Sequence, residues 1–246
     1  MNEKKLILIT NDDGIEADGL LRLVRAAAAF GDIWIVAPDG QRSAASHSIS
    51  LHSHIDVFPA PYPVSGVHAF TCSGTPGDCV RVGSLNITPR RPDAVFSGMN
   101  RGWNVATDVQ YSGTAGAAFE AAFQGIPAYA FSEDAAECHD VSEAYLPGLL
   151  AELLQIQPPR GQIVNVNFPC CTLAECRGIL RNRTVSEGMV YRDHYELVEQ
   201  LPAGGMRLAV QGEYQSEAEE GSDLRAVSEN YISVGYANNI GFPVLK

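Results

Sequence analysis

The run Leu6-Ile7-Leu8-Ile9 sets four large aliphatic side chains in a row with no polar residue between them. A strand with one solvated face alternates. This one does not, so it fits a sheet covered on both faces, as parallel α/β sheets are. The run stops at Thr10-Asn11-Asp12-Asp13-Gly14, where glycine permits a sharp turn. In open α/β sheets ligands gather beyond the carboxyl ends of the strands. Two adjacent carboxylates at that place suit a hard divalent cation such as Mg²⁺ or Mn²⁺. On a strand their side chains would diverge, but in a loop just past it both can face one ion. Taken alone, the pair reads equally as a solvated turn in which Asp13 or a neighbour caps the next helix.

From Glu16 to Phe30, the residues Leu20, Leu23, Val24, Ala27 and Ala28 recur at helical spacing, with acids in the first turn and Gly31 past the end. Ile33–Ala37 is a second unalternated apolar run. Residues 6–37 therefore read strand–helix–strand, a right-handed βαβ unit. The polar loop Pro38–Ser50 follows at the same carboxyl edge and offers Arg42, Ser43, Ser46 and His47, the histidine reading as an exposed loop residue. Pro59, Pro61 and Pro63 keep the next stretch out of the centre of a sheet. At Ser73-Gly74-Thr75-Pro76-Gly77-Asp78, Thr75 is placed as an N-cap and Pro76 as the first helical residue.

Asp93–Ser97 is a further short buried strand, and the long Gly- and Asn-rich loop Gly98–Thr114 follows it. Loops of such length inside a compact domain are usually functional. This one enters a helix with Ala115, Ala118, Phe119, Ala122 and Phe123 on one face. Neither Ser112 nor Thr114 has Glu or Gln three residues on, so no capping box closes the helix start. Its N–H groups are expected to be open to an anion such as phosphate; an ordinary Ser/Thr N-cap is the competing reading. Pro127–Phe131 and Ile163–Asn167 are read as strands flanking a helix at Val141–Gln155.

After Cys176 the pattern turns to short strands with Gly-rich turns: Ile179–Thr184, Met189–Arg192, Tyr195–Leu201 and Met206–Val210, then a short helix after Ser222-Asp223 and a last strand at Tyr231–Tyr236. The expected organisation is an α/β core over residues 1–176 and a strand-rich appendage over 177–246. The net charge of −12 argues against a long nucleic acid partner, and the three lysines (Lys4, Lys5, Lys246) leave phosphate charge to arginine, backbone N–H groups or a metal. The apolar run after Lys5 is too short for a secretory signal or a membrane span, so the cytoplasm is the default expectation. Six cysteines spread over 246 residues lack paired metal-finger spacing, and Cys170, Cys171 and Cys176 read as loop thiols.

Four loops, Asn11–Gly14, Pro38–Ser50, Ser73–Asp78 and Gly98–Thr114, thus gather at one sheet edge with oxygen donors beside a Gly-rich helix start. Thr10-Asn-Asp-Asp-Gly14, Ala37-Pro-Asp-x-x-Arg-Ser43, Ser73-Gly-Thr-Pro76, Ser97-Gly-x-Asn-x-Gly-x-Asn104 and Tyr111-Ser-Gly-Thr114 stand in this order. Together they resemble the SurE (survival protein E) family of metal-dependent acid phosphatases and nucleotidases. The match is close over the N-terminal half. It continues weakly to about residue 236 through Val164-Asn-Val-Asn-Phe-Pro169 and Ser222-Asp223-x-x-Ala226-Val227.

The resemblance implies a Rossmann-like three-layer α/β core with a C-terminal strand-rich oligomerisation appendage. It implies a 5'-nucleotidase that hydrolyses nucleoside 5'- and 3'-monophosphates, sometimes short polyphosphate, with one divalent cation, Mg or Mn, per subunit. Carried over, Asp12, Asp13, Ser43 and Asn100 match the metal ligands, and Asn104, Ser112, Gly113 and Thr114 the phosphate-side residues. Asp12 and Asp13 are also the candidate proton acceptors. Dimers or tetramers formed by exchange of C-terminal segments are implied as well. The sequence departs from the family at Gly77, and near the end, where Ser233–Asn239 replaces the usual pattern and no histidine follows His194. Nucleotide binding without hydrolysis is the alternative, in a plain binding protein or a receiver-like signalling domain. A receiver would use Asp56 as phosphoacceptor but needs a late lysine, and none lies between Lys5 and Lys246.

Overall fold

The computed structural model describes residues 4–215 and 217–238. Lys5–Thr10 forms β1, buried from Leu6 onward, as an unalternated apolar run demands. Helix α1 (Asp18–Ala27) buries Leu20, Leu23, Val24 and Ala27, and β2 (Gly31–Pro38) returns parallel to β1. After a long excursion come β3 (Val57–Pro59) and β4 (His68–Cys72). The prolines act as expected: β3 is the edge strand, antiparallel to β4, and β4 runs parallel beside β2. Asp56, which is exposed, therefore precedes an edge strand and does not end a central one, which removes the geometry a receiver domain needs.

Helix α2 (Pro76–Val82) opens with Thr75 as N-cap and Asp78 completing a capping box. Strand β5 (Ala94–Arg101) is longer than the apolar run alone marks. The turn α3 (Asp108–Tyr111) and helix α4 (Gly113–Phe123) follow. Helix α4 is buried from Gly113 through Ala122, which its small apolar residues permit. Then come β6 (Ala128–Glu133), α5 (Asp140–Leu153) and β7 (Gln162–Phe168).

The C-terminal strands divide. The strands β8 (Ile179–Arg183) and β11 (Ile232–Asn238) extend the main sheet, β11 lying antiparallel to β7. Helix α6 (Asp223–Ser228) starts at Ser222 and packs beside them. By contrast β9 (Tyr191–Leu201) and β10 (Gly205–Tyr214) form a separate two-stranded hairpin. So half of what reads as appendage in the sequence completes the core sheet. The main sheet has the order β3-β4-β2-β1-β5-β6-β7-β11-β8. One apolar layer lies under α1 and α5, including Leu23 and Leu150, and another under α2 and α4, including Val80 and Ala118. Between β1 and β5 the order reverses, which is where such sheets open a crevice at their carboxyl ends. No helix among the described residues is long and apolar enough to cross a membrane.

Candidate active site

Asp12 and Asp13 follow β1 directly at this reversal point. Gly14 turns the chain with φ of 103° and packs against Gly40 of the loop after β2. Asp12 is only 3% exposed, whereas Asp13 is half-buried. The Thr114 hydroxyl donates to Asp12 Oδ1 at 2.6 Å, and the Thr114 N–H donates to the same carboxylate. Gly113 makes the approach feasible, since a Cβ there would stand 2.9 Å from Asp12 Cβ. Burial pushes the Asp12 carboxyl up to about 6, against the pull of the Thr114 hydrogen bonds and with the help of the Asp13 charge. Asp13 is raised by burial too, opposed by the Arg101 N–H, which donates to its Oδ2 at 3.3 Å.

This corrects the expectation of an open helix start. Ser112 Oγ accepts from Ala115 N at 2.9 Å, and Thr114 N–H is taken by Asp12. The positive end of α4 therefore faces the carboxylate of β1 directly. The absence of a capping box, which made the start look vacant, was filled by a residue 102 positions away.

Ser43 lies in the loop after β2, where Gln41 Nε2 donates to its hydroxyl at 3.0 Å. Its neighbour Arg42 donates its N–H to the Asp12 carbonyl at 2.6 Å, which ties this loop to the acid pair. Further along, Ser46 N donates to Tyr111 O at 3.0 Å, and His47 reaches the buried Glu120 of α4. His47 is thus a half-buried anchor and not the exposed loop residue the sequence indicates. Asn100 is the last residue but one of β5, and its Nδ2 donates to Gly102 O at 2.8 Å.

Asn104 is buried and held on every side. Its N–H donates to Asn167 Oδ1 at 2.8 Å, its carbonyl accepts from Asn165 Nδ2 at 2.8 Å, and its Nδ2 donates to Ser132 Oγ at 2.7 Å. Ser132 is the register partner of Asn100 across β5 and β6. Two residues on, Ala106 N donates to the Asp223 carboxylate at 3.3 Å, and Trp103 Nε1 donates to Phe168 O at 2.7 Å. The weaker motifs of the second half, at Asn165, Asn167 and Asp223, are therefore the residues that grip the loop after β5.

Direct contact joins Asp12, Gly113 and Thr114; Asp13 meets the backbone next to Asn100, and Ser43 follows the residue bonded to Asp12. Ser112 spends its side chain on its own helix. A cleft of about 460 Å³ opens beside Asp13, lined among others by Gln41, Met99, Arg101, Glu133 and His139. Glu133 there is 2% exposed and paired with Arg22, whose Nη1 also reaches Ser142. Sequence reasoning missed Glu120, Glu133 and Arg101. The one legible signal was an acid in the middle of an Ala-rich helix at Glu120.

The model of the family described as Survival protein SurE matches residues 7–189. A protein of Clostridium botulinum named 5'-nucleotidase SurE is 34% identical, over 93% of this chain and 90% of its own length. A Synechococcus protein of the same name is 39% identical, over 93% and 89%. The crystal structure of SurE protein from Aquifex aeolicus superposes with a TM-score of 0.79 at 29% identity, covering 95% of this chain and 93% of that one. The sheet reversal, the acid pair and the loops around it lie within the matched span, and the chain belongs to the SurE family.

Proposed function

We propose that this chain is a 5'-nucleotidase, a divalent-metal-dependent phosphomonoesterase that releases phosphate from nucleoside 5'-monophosphates, with 3'-monophosphates and short polyphosphate as further substrates. The observation that carries the reading is the contact of Asp12 with the first turn of α4 at the reversal point of the sheet. It brings a carboxylate pair and a helix N-terminus to one crevice. The naming of the relatives as 5'-nucleotidases supports it.

The donor chemistry fits a hard cation. Asp12, Asp13, Ser43 and the side-chain amide of Asn100 all offer oxygen donors. Among the described residues no group of three or more His, Cys, Asp or Glu offers a competing site. Asp12, Asp13, Ser43 and Asn100 would hold Mg²⁺ or Mn²⁺. Such an ion supplies neutralisation of phosphoryl oxygens and acidifies water. The chain's own part is orientation. Gly113 and Asn104, whose backbone Asn165 and Asn167 hold, would serve the phosphate side, while the Thr114 hydroxyl, donated to Asp12 Oδ1, would orient that carboxylate. Held in place beforehand, such donors stabilise charge that spreads over the phosphoryl group in transfer. Asp12 or Asp13 accepts the proton of the attacking water.

The hairpin supports a second proposal about assembly. Tyr195, Val198, Met206 and Val210 on β9 and β10 are all more than half exposed. An isolated two-stranded ribbon is marginal in water, so we infer that a second copy of this chain covers it, in a homodimer or homotetramer. Val198→Asp should shift the protein to monomer in sedimentation, and a wild-type protein already monomeric at micromolar concentration would overturn the assembly reading.

The activity is tested by phosphate release from a panel of 5'- and 3'-nucleoside monophosphates with EDTA, Mg²⁺ or Mn²⁺. Release that requires metal is expected. Binding of nucleotides with no release under either metal would reject hydrolysis and leave a binding protein.

A further inference from the structure

Ser132 is fully buried near the carboxyl end of β6. Two residues earlier, Ala130 belongs to the apolar layer under α2 and α4. Side chains alternate along a strand, so Ser132 faces the same way, nearer the edge where the site lies. Across the sheet it pairs with Asn100 of β5 on one side and with Asn167 of β7 on the other. A bulge makes the first pairing possible. Ser97 pairs with Ala130 and Asn100 with Ser132, so β5 spends one residue more than β6 over this stretch. Met99 consequently joins the layer under α1 and α5, and Asn100 returns to the face of Ser132. Gly98 sits in the bulge with φ of 135°, where a Cβ would collide with Phe131 O.

Asn104 docks on this row. Its main chain is held from β7: the N–H donates to Asn167 Oδ1 at 2.8 Å, and the carbonyl accepts from Asn165 Nδ2 at 2.8 Å and Asn167 Nδ2 at 3.2 Å. Those bonds fix where the residue sits but leave its side chain free to turn. The bond that stops the turning runs from Asn104 Nδ2 to Ser132 Oγ, at 2.7 Å. An amide nitrogen carries two hydrogens. Ser132 takes one, and among the described residues no group takes the other.

We propose that Ser132 is a positioning residue for phosphate: its Oγ fixes the plane of the Asn104 amide and so holds the second Nδ2 hydrogen ready for a phosphoryl oxygen. The inference rests on the phosphatase reading, which sets Asn104 at the phosphate side. It adds a residue that touches neither substrate nor metal and acts through Asn104 alone. The gain is preorganisation. A side chain already ordered in the free protein loses no rotamer freedom when the anion arrives, which is worth about fivefold in affinity.

The test compares the full chain as wild type, Ser132→Ala, Asn104→Ala and the double variant, each with Mg²⁺, by equilibrium dialysis against inorganic phosphate. Ser132→Ala should weaken phosphate about fivefold and Asn104→Ala by more. The double variant should match Asn104→Ala, because Ser132 then has nothing left to position. Ser132→Thr, which keeps the acceptor oxygen, should bind phosphate as the wild type does. The Mg²⁺ concentration for half-maximal phosphate release should be unchanged in Ser132→Ala, since its pairing with Asn100 is made by the backbone. Wild-type affinity in Ser132→Ala, the same loss repeated in the Asn104→Ala background, a threonine variant as weak as the alanine one, a shifted Mg²⁺ requirement, or a single variant that does not fold would each overturn the proposal. A wild type without phosphate affinity would overturn it together with the phosphatase reading. A wild type that binds phosphate but releases none from nucleotides would reject the phosphatase reading alone, while the affinities still judge Ser132.

Discussion

His47 Nε2 lies 2.9 Å from Glu120 Oε2, and this contact docks the loop that carries Ser43 onto α4. Glu120 is 4% exposed and also accepts from Arg81 Nη1 at 3.1 Å and Gln124 Nε2 at 3.2 Å. One buried carboxylate thereby ties α2, α4 and the loop after β2 together. Burial alone would raise it, but the hydrogen bonds from His47 and Gln124 and the Arg81 charge hold it below the usual glutamate range.

Glu120→Gln keeps the volume and removes the charge. The expected loss is about 2 kcal/mol, the scale of hydrogen bonds to a charged group. A folded pKa below the unfolded one contributes stability above the unfolded value and loses it as pH falls through the folded one. The difference between wild type and variant in urea unfolding should therefore be full at pH 7 and shrink below about pH 4. The Mg²⁺ concentration for half-maximal phosphate release should also rise, since the Ser43 loop loses its anchor. Equal urea midpoints at pH 7 would remove the anchoring role.

Asp12→Asn retains the shape of the side chain that Thr114 grips at 2.6 Å. The fold should survive, with an unchanged circular dichroism spectrum. Turnover should drop by about 10²-fold or more if Asp12 serves at the reacting centre. A kcat near that of wild type at saturating metal would sink the assignment of Asp12.

Gly113→Ala tests closeness alone. Alanine is the better helix former, and Gly113 is the first residue of α4. Yet its Cβ would stand 2.9 Å from both Cβ and Oδ2 of Asp12, so the helix start and the acid must part. Displacements of about 1 Å can cost about 10²-fold in rate. The variant should remain folded and lose activity by that order. If it matches wild type in kcat/KM, the contact between β1 and α4 is not what orients the site.

The sequence made β1, α1, β2 and the capped start of α2 legible because burial writes itself as periodicity there: an unbroken apolar run for a two-sided strand, a helical stripe at Leu20, Leu23, Val24 and Ala27. It misled at β9. Residues 191–200 are all exposed, so no burial pattern marked one continuous strand, and it read as two pieces. The site divides in the same way. Asp12, Asp13, Asn100 and Thr114 announce themselves by type and by place after a strand or before a helix. The grip of Asn165 and Asn167 on Asn104 spans more than sixty residues and exists only once β7 lies two strands from β5.

Asp223 offers a pH test away from the acid pair. It is 3% exposed and accepts N–H bonds from Leu224 at 2.7 Å, Ser186 at 2.9 Å and Ala106 at 3.3 Å. Burial pushes its carboxyl up to about 6 in spite of these donors, and the Glu219 charge adds to the rise. The sign follows from where the proton binds more tightly. With a folded pKa above the unfolded value of about 4, the native state holds the proton better. Its contribution to stability is complete below about pH 4 and is lost as pH rises to about 6, a change of about 3 kcal/mol. Asp223→Asn keeps an acceptor oxygen for the same N–H groups and cannot ionise. Plotted against pH, the stability of wild type minus that of the variant should therefore fall between about pH 4 and 6 and level off above. Carboxylates not coupled to Asp223 titrate alike in both proteins and cancel in this difference. Parallel stability curves across that window would show that the Asp223 carboxylate is as well accommodated charged as neutral, and that its hold on the loop after β5 carries no electrostatic cost.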